Sequence, residues 1–198
     1  MSLDIIQVET AVVRAANLSV RAGERVRLAG ASGSGKSVFL RALADLLPWR
    51  GELRLDGEAV DDMPAHVWRG RVMYLEADSA WWADRVRAHF PTDIDLPLAK
   101  ADLDPALLDA DPERISSGQR QRLALLRALA REPKVLLLDE PTANLDSDNA
   151  ARLEKMLLDW STDGGILLMT SHDAAQRDRL GTRHWRVAAG QVREEGAP

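Results

Sequence analysis

Eight consecutive residues, from Gly30 to Ser37, have the composition and spacing of a loop that wraps around phosphate groups. They read Gly-Ala-Ser-Gly-Ser-Gly-Lys-Ser and match the pattern G-x-x-x-x-G-K-[ST]. Glycines permit the dihedral angles with which the N–H groups of residues 33–37 turn toward a phosphate chain. Lys36 is then expected to contact the β- and γ-phosphates, and the hydroxyl of Ser37 to ligate Mg²⁺. A flexible Gly/Ser loop with a chance lysine is the alternative. The residues predicted to line this part of the site are Gly30, Ala31, Ser32, Gly33, Ser34, Gly35, Lys36, Ser37 and Val38.

Two carboxylates, Asp139 and Glu140, follow a run of four apolar residues that begins at Val135. Such a run is typical of a buried parallel strand, and open α/β sheets bind ligands at the carboxyl ends of their strands. Asp139 is therefore predicted to hold the magnesium shell, through a water or through Ser37. Glu140 is placed to polarise the attacking water as a general base. The alternative is a strand end at which water solvates two acids.

A third motif, Ile-Ser-Ser-Gly-Gln from Ile115 to Gln119, precedes a long helical sequence. A small-residue turn at a helix start binds anions, here through the Ser116 hydroxyl, the N–H groups near Gly118 and the helix dipole. A second phosphate cradle has no use in the same site, so the motif indicates that one copy of the chain caps the nucleotide of another. An ordinary helix start with a serine cap is the alternative. The residues assigned to this second cradle are Ser116, Ser117, Gly118 and Gln119.

Strands that alternate with amphipathic helices must position these motifs, and this alternation predicts an α/β fold. The phosphate loop lies between a strand at 25–29 and a helix that begins near Lys36 and continues through Leu46, before Pro48 and Gly51 close it. The other predicted elements are an edge strand at 52–55, strands at 71–75, 134–139 and 165–170, helices at 117–131 and 146–160, and a final hairpin around Gly190.

The length of 198 residues suits one domain, 1–198, with a small inserted lobe. Four prolines punctuate short Asp- and Leu-rich pieces between Phe90 and Glu113, which predicts a mostly helical insertion at about 78–114.

Net charge and composition limit the classes of partner and the kinds of site that can be expected. The chain has 26 basic and 31 acidic residues, a net charge of -5, so nucleic acid is not expected as a partner. It has no cysteine, and therefore neither a disulfide nor a thiolate metal site. No secretion signal is recognised at residues 1–10, and no apolar run approaches the roughly 20 residues that span a bilayer. The expected location is the cytoplasm, and another chain must supply any membrane-spanning part.

The order and spacing of five motifs resemble the ATP-binding cassette (ABC) family along nearly the whole chain. The two not yet described are 143–146, Ala-Asn-Leu-Asp, and His172. The resemblance implies a P-loop core of mainly parallel sheet flanked by helices, with an N-terminal antiparallel β portion and a small helical subdomain. It also implies that Asp146 belongs to a loop connecting two nucleotide sites, and that His172 contacts the γ-phosphate.

The function implied by this resemblance is ATP hydrolysis with Mg²⁺ in a head-to-tail dimer that drives a membrane permease, with the chain peripheral on the inner face of the cell membrane. The sequence at 41–48 and the short lobe resemble small bacterial exporter cassettes, similar to the iron-exporter ATPase subunit, and the haem-exporter subunit stays open. Two other functions stay open: a soluble cassette acting on ribosomes or DNA, and a regulatory module that hardly hydrolyses nucleotide.

Three departures from the family pattern concern Ser117, Ala77 and the segment 5–20. Ser117 stands where the signature usually has glycine, and Ala77 stands where a glutamine follows the strand at 71–75. Glu76 precedes it, so either a carboxylate there helps to hold Mg²⁺ or water, or coupling to the partner is weakened. Residues 5–20 contain no aromatic side chain to stack on adenine, so GTP is expected to substitute for ATP.

Trp81 and Trp82 are adjacent, and neighbouring residues cannot easily face the same core. At least one is expected to be exposed. Because exposed aromatic side chains anchor interfaces, they are predicted to contact the permease, with simple packing of the lobe as the alternative.

Overall fold

One mixed sheet carries all the motif-bearing strands. A computed structural model describes residues 1–76, 78–92, 94–143, 145–171 and 180–196, and all structural statements refer to these residues. The strand order is β5-β4-β1-β2-β10-β9-β3-β8-β7-β6. The strands are β1 (Ser2–Glu9), β2 (Arg14–Arg21), β3 (Arg25–Gly30), β4 (Arg50–Leu55), β5 (Glu58–Ala59), β6 (Val72–Glu76), β7 (Val135–Asp139), β8 (Ile166–Thr170), β9 (Arg183–Ala188) and β10 (Gln191–Glu194).

The sheet has a parallel half and a mainly antiparallel half. Strands β9, β3, β8, β7 and β6 pair in parallel, whereas β2, β1, β4 and β5 pair antiparallel. The last strand, β10, joins the halves, since it pairs antiparallel with β9 and parallel with β2. The predicted α/β fold with an N-terminal antiparallel portion is confirmed.

Helices flank the sheet, and two of them begin within motifs described above, at Lys36 and at Ser117. The α-helices are α1 (Lys36–Leu43), α2 (Ala65–Arg71), α3 (Ser117–Leu129) and α4 (Ser147–Thr162). The 3-10 helices are Val60–Asp62, Val86–His89, Leu98–Ala101, Pro105–Asp109 and Pro112–Arg114.

Strand β7 shows why the parallel strands read as continuous apolar runs. Its first and third residues, Val135 and Leu137, belong to a core with Leu40 of α1. The alternate residues, Leu136 and Leu138, belong to a second core with α3 and α4. Because successive side chains of a strand point to opposite faces, both faces of β7 are covered, and each of its first four positions must be apolar.

Helix α1 is shorter than predicted: it ends at Leu43, and Leu46 is 48% exposed. The N–H of Asp45 donates to Ala42 and that of Leu46 to Arg41, with Asp45 in the left-handed region at φ 57°. These paired bonds form a Schellman ending, which stops the helix before Pro48 is reached.

One further prediction needs correction. Strand β4 is not the sheet edge, because the two-residue strand β5 pairs with its outer side. The helical pieces in the described part of 78–114 are short 3-10 helices, since proline opens the turns at Pro105 and Pro112 and interrupts longer helical bonding. That this stretch is a subdomain stays a prediction.

Within the described ranges, every helix is too short or too polar to cross a membrane.

Candidate nucleotide site

The carboxyl ends of the parallel strands bring the separate motifs to one edge of the sheet. Asp139, at the end of β7, is the register partner of Glu76 on β6 and of Thr170 on β8. Thr170 in turn pairs with Leu28 on β3, two residues before Gly30. The phosphate loop and the two carboxylates therefore lie at the same edge, where open parallel sheets bind ligands.

The phosphate loop follows β3 closely and turns at Gly35, which has φ 102° and caps the N-terminus of α1. A side chain at Gly35 would be strained in this conformation. A Cβ there would also lie 2.5 Å from Cγ1 of Val13 and 3.0 Å from Cγ1 of Val12. Glycine is thus required at this position for two reasons. The backbone has a positive φ, and the segment that joins β1 to β2 leaves no room for a Cβ.

Lys36 begins α1 and reaches back into the loop. Its Nζ donates to the carbonyl oxygens of Gly30 (2.9 Å) and Ala31 (3.1 Å), and the side chain is 7% exposed. The ammonium is therefore held inside the curve of the loop, where a phosphate oxygen bound by the loop would meet it.

The other residues of the loop differ in exposure. Ala31, Ser32 and Gly33 are exposed, whereas Ser34, Gly35, Ser37 and Val38 are half-buried. In the part of the chain that the structure describes, the hydroxyl oxygen of Ser34 is buried without a hydrogen-bond partner. Such a group inside a phosphate loop is satisfied when a ligand supplies the partner.

Asp139 is held by hydrogen bonds on both carboxylate oxygens. Thr170 Oγ1 donates to Oδ1 (2.7 Å), and the Tyr74 hydroxyl donates to Oδ2 (3.0 Å). Burial raises the pKa of the Tyr74 phenol, and the charge of Asp139 raises it further, with partial compensation from Arg41. The phenol therefore stays protonated and can donate to Asp139 over the physiological pH range.

Glu140 adopts an unusual backbone conformation directly after the strand. Its φ is 53°, a left-handed value that costs energy for a residue with a side chain, and its N–H donates to Thr170 Oγ1 (2.9 Å). Thr170 thus connects both predicted acids, because its hydroxyl donates to Asp139 while accepting from Glu140.

Magnesium fits the donor set that the sequence predicts. Ser37 supplies a hydroxyl and Asp139 a carboxylate, and both are hard oxygen donors. The described ranges contain no cluster of three or more His, Cys, Asp or Glu side chains that could hold a metal by itself. Mg²⁺ typically uses one or two carboxylates together with substrate phosphates rather than an all-protein cage.

Glu76 forms an ion pair, and its role in holding magnesium or water, one of the two alternatives from the sequence, stays a prediction. Its Oε1 lies 2.7 Å from Nη2 of Arg41 on α1. Sequence reasoning missed Arg41, Tyr74 and Thr170. The signal that identifies Thr170 is its place at the end of the strand beside Asp139, but neither Arg41 nor Tyr74 belongs to a recognisable motif.

The predicted second cradle begins α3 with a complete capping box. Ser116 Oγ accepts from the N–H of Gln119 (3.2 Å), and Gln119 Oε1 accepts from the N–H of Ser116 (3.0 Å). The N–H groups of Ser117 and Gly118 lie in the first turn, where a helix has no internal acceptor for them. Ser116 and Ser117 are exposed, so the turn caps the helix and leaves the N–H groups of its first turn accessible.

Asn149 links this turn to Asp146. Asp146 caps α4, accepting from the backbone N–H of Asn149 (2.9 Å) and from its Nδ2 (2.6 Å). These bonds lower the pKa of Asp146, the backbone bond having the largest effect. Asn149 Oδ1 also accepts from the buried Arg122 of α3. A Cβ on Gly118 would lie 2.5 Å from the Asn149 side chain, so the signature glycine allows α3 and α4 to approach.

Beside the phosphate loop, the segment at 5–20 presents an aliphatic side chain. Val12 is 49% exposed and lies beside Gly35 of the phosphate loop, while Val13 is buried. An exposed aliphatic side chain provides apolar contact without the geometric preference of a ring.

One tryptophan of the pair is exposed and the other is half-buried, as expected. Trp82 is 70% exposed, while Trp81 is half-buried against the second core. Both rings meet His89 edge-on at centroid distances of 4.8 Å (Trp81) and 4.6 Å (Trp82), and the guanidinium of Arg127 lies over both. His89 Nε2 accepts from the N–H of Trp82 (2.9 Å), which holds the pair in position.

Three residues named in the sequence analysis, Ala77, Asn144 and His172, lie outside the described residues.

Comparison with known proteins identifies the class to which this fold and site belong. A model of the ABC transporter family matches residues 13–143. This chain therefore belongs to the ABC transporter family. Two solved structures show the same fold: the ATP-binding subunit of an ABC transporter (TM-score 0.85, 22% identity, covering 97% of this chain and 88% of that one) and cbiO1 of Clostridium perfringens, part of the ABC transporter complex cbiONQ (TM-score 0.81, 22%, 96% and 86%).

Relatives of higher identity carry the names of individual ABC proteins. The chain is 35% identical to STAR1 of Oryza sativa subsp. japonica (92% of this chain, 57% of that one) and 34% identical to the α-glucoside transport ATP-binding protein AglK of Rhizobium meliloti (94% and 56%). It is 35% identical to the phosphate import ATP-binding protein PstB of Pyrobaculum aerophilum (93% and 84%). The chain thus spans little more than half of STAR1 and AglK. Where such names state a direction they state import, so the expected likeness to an exporter is not confirmed.

The contact between Gly118 and Asn149 yields a stability prediction. Gly118→Ala should lower the free energy of unfolding by about 1–3 kcal/mol, because the new methyl group overpacks against Asn149. Urea denaturation measures the change. Gly70→Ala is the matched control, since a Cβ at this helical position meets nothing within 4 Å and should stabilise slightly. Equal effects of the two substitutions, or no recovery in Gly118→Ala/Asn149→Ala, would contradict the contact.

Proposed function

We propose that this chain binds MgATP and hydrolyses it in a head-to-tail dimer, and that the dimer drives a membrane permease. The observation that carries the proposal is the meeting of the phosphate loop, Asp139 and Glu140 at one sheet edge through the parallel register of β3, β8 and β7. Family membership supports the same function, since relatives at 34–36% identity are named as transport or import ATP-binding proteins.

Nucleotide binding is assigned to the loop and to the start of α1. The N–H groups of residues 33–37 bind the phosphate oxygens, and Lys36 contacts the β- and γ-phosphates from its buried position. Ser37 and Asp139 are the residues that would hold magnesium, which when bound neutralises charge on the β- and γ-phosphate oxygens.

Hydrolysis is assigned to Glu140 as general base. A water oxygen attacks the γ-phosphorus, the bond from that phosphorus to the leaving oxygen of ADP breaks, and the Glu140 carboxylate accepts the proton of the water. The left-handed backbone of Glu140 and its N–H bond to Thr170 support this role, because strained residues concentrate where a side chain must be aimed. His172 is proposed to contact the γ-phosphate.

Each site is completed by a second copy of the chain. Ser116, Ser117, Gly118 and Gln119 cap the phosphates bound by the partner's loop, through the Ser116 hydroxyl and the free N–H groups of the first turn of α3. Asn149 connects this surface to Asp146, because its side chain bonds to Asp146 and lies against Gly118.

The permease is proposed to dock at Trp82, which places the chain in the cytoplasm, peripheral on the inner face of the membrane. An aromatic side chain that is 70% exposed and fixed by His89 and Arg127 resembles the rigid anchors of protein interfaces.

Two substitutions test the hydrolysis. Lys36→Ala should abolish measurable ATP binding, since the buried ammonium is lost. Glu140→Gln should retain ATP binding but lower turnover by about 100-fold or more, because the amide cannot accept the proton. Binding is measured with a fluorescent ATP analogue and turnover by phosphate release. If the unmodified chain turns over ATP and Glu140→Gln does so at the same rate, Glu140 is not the general base. If the unmodified chain binds ATP but shows no turnover, a regulatory module is favoured.

A second prediction concerns the base. Because Val12 offers no ring for stacking, kcat/KM for GTP should lie within about 10-fold of the value for ATP, and Val12→Tyr should widen the difference in favour of ATP. Steady-state phosphate release with both nucleotides measures this. A strong preference for ATP in the unmodified chain would show that another group reads the base.

A third prediction concerns the permease. Trp82→Ala should weaken the complex with the membrane protein of its gene neighbourhood by about 30-fold, as expected for an anchor residue, while ATP binding is unchanged. Co-expression and co-purification in detergent measure the complex. Leu46→Ala is the control, since Leu46 is also an exposed apolar side chain at 48% exposure. Equal losses for the two, or none for Trp82→Ala, would remove Trp82 from the interface.

A further inference from the structure

The carboxylate of Asp139 is connected to helix α1 through Tyr74. Tyr74 lies on β6 and donates to Asp139 Oδ2 at 3.0 Å, while its hydroxyl oxygen accepts from Nε of Arg41 at 3.1 Å. Arg41 belongs to α1, the helix that begins with Lys36 and Ser37. Three elements of the candidate site are thus connected by two hydrogen bonds through one hydroxyl group.

Arg41 also determines the direction in which Tyr74 donates. A phenol has one hydrogen, and an oxygen that accepts from a guanidinium must direct that hydrogen elsewhere. Asp139 lies at the required distance, so the hydrogen is directed to its carboxylate. The guanidinium carbon of Arg41 lies 5.4 Å from the centroid of the Tyr74 ring, which also restricts the ring.

Glu76 anchors the outer end of this chain of contacts. Its carboxylate lies 2.7 Å from Nη2 of Arg41, with side-chain exposures of 52% for Glu76 and 39% for Arg41. An ion pair this exposed contributes little to stability, so its effect is to restrict the guanidinium rather than to hold the fold together.

We propose that Tyr74 is a positioning residue that aims the Asp139 carboxylate at the magnesium of the bound nucleotide, and that Arg41, restrained by Glu76, aims Tyr74. This rests on the proposed function, which places magnesium at Ser37 and Asp139. With Thr170 on Oδ1 and Tyr74 on Oδ2, the carboxylate cannot rotate without losing a hydrogen bond. Groups that orient a metal ligand in this way contribute about 10- to 100-fold to metal affinity.

Simple packing is the competing account of Tyr74, because its ring is partly buried against the first core. The two accounts differ in the substitution Tyr74→Phe, which keeps the ring and removes only the hydroxyl. A packing role predicts no change in metal binding, whereas the positioning role predicts weaker metal binding with nucleotide contacts intact.

The test compares the unmodified chain with Tyr74→Phe in two measurements. The first is binding of a fluorescent ATP analogue in excess chelator, which should agree within about twofold because the phosphate loop is unchanged. The second is the Mg²⁺ concentration for half-maximal turnover, together with Mn²⁺ binding to the protein–nucleotide complex by electron paramagnetic resonance. Both Mg²⁺ half-saturation and the Mn²⁺ dissociation constant should rise by about 10-fold.

Arg41→Gln should raise the same two values by about threefold, since Tyr74 keeps its bond to Asp139 but loses its guide. Arg69→Gln is the matched control, because Arg69 forms an ion pair of 3.1 Å with Asp45, just beyond α1, without contacting Tyr74. It should leave metal binding unchanged. Equal effects of Arg41→Gln and Arg69→Gln would overturn the proposal.

Metal binding in Tyr74→Phe equal to that of the unmodified chain would overturn the inference and leave the proposed function standing. Absence of Mg²⁺-dependent nucleotide binding in the unmodified chain would overturn both. The two failures are therefore distinguishable.

Discussion

Asp139 and Thr170 are direct partners in the parallel register of β7 and β8, and the remainder of the candidate site depends on this pairing. It places the Thr170 hydroxyl where it donates to the carboxylate of Asp139 and accepts from the backbone N–H of Glu140. A slip of one residue would turn the strand's side chains to the opposite face and separate these groups. Because apolar cores enclose both faces of β7, a slip in one direction would also draw the Asp139 carboxylate into an apolar interior, which is costly for a charge. Burial of the strand and alignment of the acids are one requirement.

The sequence was sufficient to predict the strand-loop-helix framework of the phosphate-loop motif. Gly35 and Lys36 occupy the positions that their motif implies, because phosphate-binding loops depend on local glycine dihedrals and on a strand-loop-helix order that a single segment contains. The end of α1 could not be read in the same way. Its apolar pattern continues to Leu46, but the left-handed Asp45 ends the helix earlier, and aspartate in the left-handed region has no reliable sequence signal.

Side-chain networks between distant segments were beyond sequence reasoning for a related reason. Arg41, Tyr74 and Asp139 are far apart along the chain, and only the completed sheet brings them together. The departure at Glu76 could be seen in the sequence, yet its ion pair with Arg41 could not, and neither of the two alternatives for Glu76 included it. At Ser116 the two interpretations of the motif, an anion cradle and an ordinary helix cap, are compatible. A capping box leaves the N–H groups of Ser117 and Gly118 available.

Strand β10 has a consequence for the order in which this chain folds. Among the described strands, β10 is the one that pairs with both β2, near residue 14, and β9, beside the parallel strands. During synthesis, this hydrogen-bonded link between the two halves of the sheet cannot form until Gln191 has left the ribosome. Contacts of such long sequence separation slow folding and leave unpaired edges exposed in the meantime. The edge of β2 that β10 covers in the complete sheet is therefore unpaired until the residues of β10 have been made.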